Sequence, residues 1–328
     1  MVGPNGAGKT NLLESLHVAA QGFSPRTRSD SQLIRFGREG ARVEIGGEHG
    51  GSPVAVELVL RLGEARRAKL NGAALKAAEE LRSRLPTLVF TPDRLAVVKG
   101  GPAVRRAYFD RALTRLFPAR ASIPTEYASA LAQRNAALRR RAAGLSPQDA
   151  LAPWTERVAE LGEALVTARR ELLQLLSPSF GDLAQELRLG AGDLDYDGEA
   201  ASRADLEARL DQDVARGSTG AGPHLHDVAV RAGGRDLRSY GSQGEQRLAV
   251  LSLLLAEADL LRRRGEPAPL LLLDDVLSEL DPERRGILAE RLRRAGGQAL
   301  LTATTAGALP VSPNQLIEVE PGQARSAV

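Results

Sequence analysis

The chain opens almost at once on Gly3-Pro-Asn-Gly-Ala-Gly-Lys9-Thr10, which satisfies the pattern G-x-x-x-x-G-K-[ST] in full. Glycines at these places let backbone N–H groups turn inward around phosphate oxygens. The lysine supplies a point charge, and the terminal hydroxyl is a ligand for magnesium. Such a loop joins a β-strand to a helix, so it commits the chain to an α/β sheet. Residues 11–20 supply the helix, with Leu12, Leu13, Leu16 and Ala20 at helical spacing. Its N-terminal end adds partial positive charge to the same anion site. Only Met1 and Val2 precede the loop. The strand that feeds it is therefore expected to be missing, through a misplaced start or a truncated copy.

The partners of this loop lie near the other end of the chain. Leu270-Leu-Leu-Leu-Asp274-Asp275 is an apolar run ending in two carboxylates. A strand buried on both faces reads this way, and it places Asp274 where it can reach magnesium and Asp275 where it can orient an attacking water. Upstream, Ser242-Gln-Gly244-Glu245 begins a strongly helical stretch and forms an anion site at a helix start. Taken alone, Ser242 and Glu245 equally form an ordinary capping box. Ser278-Glu-Leu-Asp281 follows the acidic strand, and Pro282 to Arg294 reads as a helix with proline in its first turn.

Between these segments the texture changes. Residues 41–62 alternate as two strands turning over Gly46 to Gly51, Ala68 to Leu70 turns at Asn71-Gly72, and Leu85 to Phe90 is a further short strand. From Pro102 the pattern is helical: Val104 to Phe117, Tyr127 to Ala143, Trp154 to Leu176, and a single short helix at Leu206 to Val214. His226 to Val230 and Arg235 to Leu237 read as strands, Glu245 to Arg264 as a helix, and Ala299 to Leu301 as a buried strand. The expected division is an ATPase head at 1–101, an inserted helical arm at 102–205, and the rest of the head at 206–328.

The order of loop, S-x-G-E, acidic strand and S-x-L-D resembles the ABC-type ATPase head. Within that superfamily the chain resembles the RecF family of DNA replication and repair proteins. Four stretches carry the resemblance: Gly3 to Glu14, Pro92 to Asp110 (PDRLAVVKGGPAVRRAYFD), Gly222-Pro-His224 with Asp227, and Ser242 to Glu257 with Leu270 to Asp281. The second is required by no generic ATPase motif and discriminates best. The resemblance implies an α/β P-loop head with an inserted helical arm. It implies ATP held by Gly3, Pro4, Asn5, Gly6, Ala7, Gly8, Lys9, Thr10 and Asn11, and Mg²⁺ held by Thr10 and Asp274. Lys9 and Asp275 are then the catalytic pair, and Ser242, Gly244, Glu245 and Asp281 serve the nucleotide of a second copy. The chain departs from the pattern in four places. The family's leading strands before the loop are absent, and Asp275 stands where many ABC ATPases have glutamate. Leu225-His226 intervene before Asp227, and Thr302 and Thr304 stand where a histidine sensor would be expected.

The resemblance also implies partners: DNA at single-strand gaps or single/double-strand junctions, an ATP-dependent homodimer, and the RecR and RecO mediators. Hydrolysis would be weak and serve as a switch. Arginines cluster at Arg26/Arg28, Arg61, Arg66/Arg67, Arg105/Arg106 and Arg134 to Arg141, offering sequence-independent phosphate contacts. Singly each is an ordinary solvated face, and Arg105 and Arg106 are expected to be structural. Aromatics make up only 3% of the chain, which argues against a dedicated single-strand channel. There is no cysteine and no apolar run long enough to span a membrane, so a cytoplasmic location is expected. Two alternatives stand beside this reading: another ABC ATPase subunit such as that of a transporter, and an inactive or non-hydrolysing truncated copy.

Overall fold

The computed structural model describes residues 1–27, 29–75, 81–82, 84–145, 148–265, 267–278 and 280–327. Helix α1 (Lys9–Gln21) follows the loop directly. Strands β1 (Gly40–His49), β2 (Ser52–Arg61), β3 (Arg67–Leu70) and β4 (Ala73–Ala74) form one antiparallel sheet in chain order. The β1–β2 turn is narrower than the glycine run suggested. Strand β1 continues through Gly46 and Gly47, which pair with Ala55 and Val54 of β2, and only Gly50 and Gly51 lie between the strands. Both have positive φ, 58° and 77°, the conformation that a two-residue hairpin matched to strand twist requires. Asn71 and Gly72 repeat the device between β3 and β4.

Strand β5 (Thr87–Phe90) precedes α2 (Pro102–Leu116), α3 (Ile123–Ala142) and α4 (Ala152–Glu186). Helix α4 runs ten residues past Leu176, where the sequence pattern ended, and carries Pro178 inside it. A proline there removes one backbone hydrogen bond and costs about 3 kcal/mol. The buried Phe180, Leu183 and Ala184 offset that cost, because they continue the apolar face beyond the proline. Strand β6 (Gly192–Asp197) was not foreseen. The single short helix expected at 206–214 is two, α5 (Arg203–Ala208) and α6 (Leu210–Arg216). Strands β7 (Asp227–Ala232) and β8 (Arg235–Asp236) pair antiparallel with β6 in the order β6-β7-β8. Leu237, expected at the end of the β8 strand, instead starts a one-turn helix (Leu237–Tyr240). Further elements are α7 (Gln243–Arg263), β9 (Leu270–Leu273), α8 (Pro282–Arg294), β10 (Ala299–Leu301), β11 (Leu316–Glu320) and β12 (Gln323–Ala327).

The chain divides into two compact units. The first comprises Met1–Leu95, Glu186–Arg188 and Val250–Val328; the second comprises Ala96–Gln185 and Leu189–Ala249. The first unit holds a parallel sheet ordered β10-β9-β5, with β9 central and its Leu271 to Leu273 fully covered. Strand β10 is only half-buried rather than buried. Val2 bridges to both Ala303 and Glu318, accepting from Val319 N at 2.8 Å and donating to Ile317 O at 2.8 Å. Met1 and Val2 thus hold the strand position that leads into the loop. Met1, Ala7, Leu13, Val89, Leu272 and Val319 pack as one core cluster, which fixes the loop to the sheet.

The second unit is locked by buried arginines. Arg105 grips Asp227 through both carboxylate oxygens at 2.7 and 2.5 Å, and its remaining nitrogen donates to Val98 O and Gly100 O. Arg169 grips Asp110 in the same way at 2.8 and 2.9 Å and reaches Pro223 O at 2.8 Å. The discriminating stretch Pro92 to Asp110 and the Gly222-Pro-His224 segment are therefore joined by these bidentate pairs. That accounts physically for arginine rather than lysine at positions 105 and 169.

Candidate nucleotide site

The loop is built by left-handed glycines. Gly6 and Gly8 have φ of 81° and 104°, a region side chains with a Cβ rarely enter, while a Cβ on either would meet no neighbouring atom. Conformation, not space, demands glycine there. Gly3 is different: a Cβ would stand 2.2 Å from Val319 O, so its lack of a side chain permits the loop to pass β11. Pro4, Asn5, Gly6 and Asn11 are exposed and Ala7 is buried. Lys9 curls over the loop, its ammonium donating to Gly3 O at 2.7 Å and Pro4 O at 3.0 Å. The cation is thereby held against the loop's own carbonyls.

Thr10 stands at the second position of α1, and its hydroxyl donates to Asp274 Oδ2 at 2.8 Å. Asp274 directly follows β9, is buried, and its N–H donates to Phe90 O at 2.9 Å. Two hard oxygen donors from opposite ends of the chain thus meet at the carboxyl ends of parallel strands, where open α/β sheets bind ligands. This donor set suits magnesium, which takes few protein ligands and completes its shell with water and substrate phosphates. Among the described residues no cluster of three or more His, Cys, Asp or Glu could hold a metal by itself. A cavity of about 540 Å³ opens elsewhere, beside β10 and Met1, and none of the loop residues or the acidic pair line it. The ligand chemistry belongs to the open loop mouth, not to that cavity.

One residue of this site went unread in the sequence. The Thr302 hydroxyl donates to Asp274 Oδ1 at 2.8 Å and accepts from Asp275 N at 2.8 Å. Asp275 has φ of 50°, a left-handed conformation that few non-glycine residues adopt and that aspartate enters more readily than most. Thr302, buried just past β10, therefore clamps the step between the two carboxylates. The sequence signal is only a hydroxyl following an apolar strand, at a place where a histidine sensor would be expected.

Ser242 and Glu245 lie in the second unit and form a reciprocal cap. Ser242 N donates to Glu245 Oε2 at 2.8 Å, and Glu245 N donates to Ser242 Oγ at 3.2 Å. These bonds hold the Glu245 carboxyl below its ordinary range, with Arg235 contributing. Gly244 follows Ser242 by two residues and leaves that hydroxyl's surroundings open. Asp281 caps α8, accepting from Arg284 N at 2.9 Å. Glu279 lies outside the described residues, while the Ser278 hydroxyl donates to Asp275 O at 3.1 Å.

The arginine clusters separate into different kinds. Arg134 is wholly buried against Asp213 at 2.8 Å, so it does not belong to a surface for phosphate. Arg105 is likewise spent inside the second unit. Arg26 pairs with Glu14 at 3.1 Å, Arg66 with Asp30, and Arg67 with Glu64 at 2.8 Å. Arg28 lies outside the described residues. Arg35 and Arg38, absent from the expected clusters, are exposed.

The chain matches the RecF/RecN/SMC N-terminal domain family over residues 1–326. It is 36% identical to a DNA replication and repair protein RecF from Heliobacterium modesticaldum, over 96% of this chain and 88% of that protein. It is 40% identical to the RecF of Myxococcus xanthus, over 92% of this chain and 83% of the relative. A solved structure of the recombination mediator protein RecF-ATP in the RecFOR pathway superposes with a TM-score of 0.87 at 28% identity, covering 100% of this chain and 90% of that one. An Smc head bound to the C-winged helix domain of ScpA shares the fold at a TM-score of 0.58 and 16% identity, over 99% and 88% of the two chains. The α/β ATPase-head fold is common to all of these comparisons.

Proposed function

The chain belongs to the RecF family of DNA replication and repair proteins, and on that premise we propose that it is an ATP-dependent DNA-binding clamp of recombinational repair. The observation that carries the proposal is the 2.8 Å contact between Thr10 and Asp274, which assembles loop and acidic strand into one site. Gly3 to Thr10 would hold the nucleotide phosphates, and Thr10 with Asp274 would hold magnesium, which supplies charge neutralisation to the phosphates. Lys9 would exchange its carbonyl partners for phosphate oxygens. Asp275 would accept a hydrogen bond from the attacking water, and Thr302 keeps its backbone in place for that. A nucleotide-bound solved relative of the same fold supports the nucleotide reading.

The finer proposal is that ATP closes two copies around DNA at a gap or a single/double-strand junction. Ser242 and Gly244, at the start of α7, would meet the nucleotide on the partner's loop, with Asp281 at the same boundary and Glu245 holding the cap. Hydrolysis would reopen the clamp, and RecR and RecO type mediators would act with it. The sequence-based division into head (1–101, 206–328) and inserted arm (102–205) belongs to this proposal. No helix among the described residues is long and apolar enough to cross a membrane. The test is solution mass with and without ATP, paired with binding to gapped and blunt duplex. A dimer formed only with ATP is expected. Ser242→Arg should abolish it while sparing ATP binding, and a monomer under every nucleotide condition defeats the clamp reading.

A further inference from the structure

Phe36 is the most exposed large apolar side chain among the described residues, at 104% of its reference area. It sits at the tip of a tight turn: Arg38 N donates to Arg35 O at 3.0 Å, and Gly37 follows the ring with φ of 77°. Glycine in the left-handed region at the third position makes this a type II turn. The turn is held at both ends. Ile34 is buried with Val18, Leu58 and Leu60, and on the other side Leu62 N donates to Glu39 O at 3.0 Å just before Gly40 pairs with Arg61. An aromatic ring is thus presented to water on a short, anchored turn rather than on a loose loop.

The surroundings of the ring say what it fits. Arg35 and Arg38 bracket it, both exposed, and no acidic residue occurs from Ser31 to Arg38. Glu39 follows the turn, and Asp30 before it is occupied by Arg66. Leu62, about half exposed, is the neighbouring apolar side chain by backbone pairing. Protein interfaces also favour aromatic rings and arginine, but they set them in a broad apolar patch, which a single ring and a half-exposed Leu62 do not form. A ring flanked in its turn by two exposed arginines instead matches a nucleotide with an unpaired base: the base stacks and the flanking phosphates are neutralised.

We propose that Phe36, flanked by Arg35 and Arg38, stacks on an unpaired base of single-stranded nucleic acid. The proposal rests on the DNA-binding reading above and adds to it a specific base contact. The low aromatic content of the chain does not oppose it, because one ring serves one base at a junction without a lined channel.

The test uses the full chain and labelled oligonucleotides followed by anisotropy: single-stranded dT, blunt duplex, and duplex with a single-stranded extension. Phe36→Ala should weaken binding to the single strand and the extended duplex roughly tenfold, while leaving the blunt duplex unchanged. Phe36→Trp should retain the affinity. Its added fluorescence, measured against wild type carrying only Trp154, should be quenched by dT. Arg35→Ala with Arg38→Ala should weaken every DNA and flatten the single-strand salt dependence by about 0.7 per arginine. Equal loss on blunt and single-stranded DNA with Phe36→Ala, or no loss on either, overturns the stacking role alone. Absence of binding to any DNA overturns both this inference and the function on which it rests.

Discussion

The Thr10 hydroxyl donates to the Asp274 carboxylate at 2.8 Å across 264 residues of chain. This bond joins the start of α1 to the end of β9, and with Thr302 on its other oxygen Asp274 has both carboxylate oxygens held by hydroxyls. Asp274→Asn should leave the fold intact, since an amide keeps the shape, but should lower ATP turnover by on the order of a hundredfold or more by removing charge at the proposed metal position. A steady-state assay with varied magnesium checks this, and turnover equal to wild type would contradict the site assignment.

Thr302 should separate positioning from binding. Thr302→Val keeps the shape but leaves Asp275 N without its acceptor and Asp274 Oδ1 without its donor. It is expected to cost about 1–3 kcal/mol of stability and to lower kcat while KM for ATP stays near the wild-type value. Thr302→Ser should restore kcat. A KM increase with unchanged kcat would place the residue in nucleotide binding instead.

The buried pair in the second unit makes a stability prediction. Arg134 donates to Asp213 at 2.8 Å and to Thr219 at 2.7 Å, and Gly220 N donates to the other Asp213 oxygen at 3.0 Å. Arg134→Met would leave a buried carboxylate without its cation, at a cost of about 3–5 kcal/mol. Chemical denaturation is the measurement. The double change Arg134→Met with Asp213→Leu should recover part of the loss, because both charges then disappear together.

Two histidines set a pH dependence. His224 Nε2 faces Thr219 O at 3.0 Å, so it carries the proton, and Nδ1 accepts from Tyr127 at 2.7 Å. His226 Nδ1 faces the Tyr196 hydroxyl at 2.8 Å. Burial lowers both imidazoles below their ordinary value, with Arg169 adding to the effect at His226. The folded chain therefore resists protons that the unfolded chain accepts. Stability should be complete above about pH 6.5, the unfolded value, and fall as pH drops below it. Denaturation midpoints across that window check the sign. Replacing both histidines by glutamine should flatten the dependence.

What was legible in the sequence had local causes. Left-handed glycines announce the loop, an unbroken leucine run announces β9, and caps announce α7 and α8, because each depends on residues a few positions apart. Glycines 50 and 51 were legible as a turn but not as its boundary, since which glycines bend is decided by strand pairing. The course of α4 past Pro178 was hidden for a similar reason: local propensity ends the helix there, and burial of Phe180 and Leu183 carries it on.

The sequence by itself determined the pattern expected of a phosphate-binding loop and of an acidic strand, and which residue types compose them. Only the tertiary structure decided that Thr10 and Thr302 hold the two oxygens of one Asp274 carboxylate, that Arg134 is a buried anchor rather than a surface charge, and that Phe36 stands in water with an exposed arginine on either side in its turn. Hydrogen bonding and burial between distant segments depend on how strands and helices pack, and no short window of sequence contains that information.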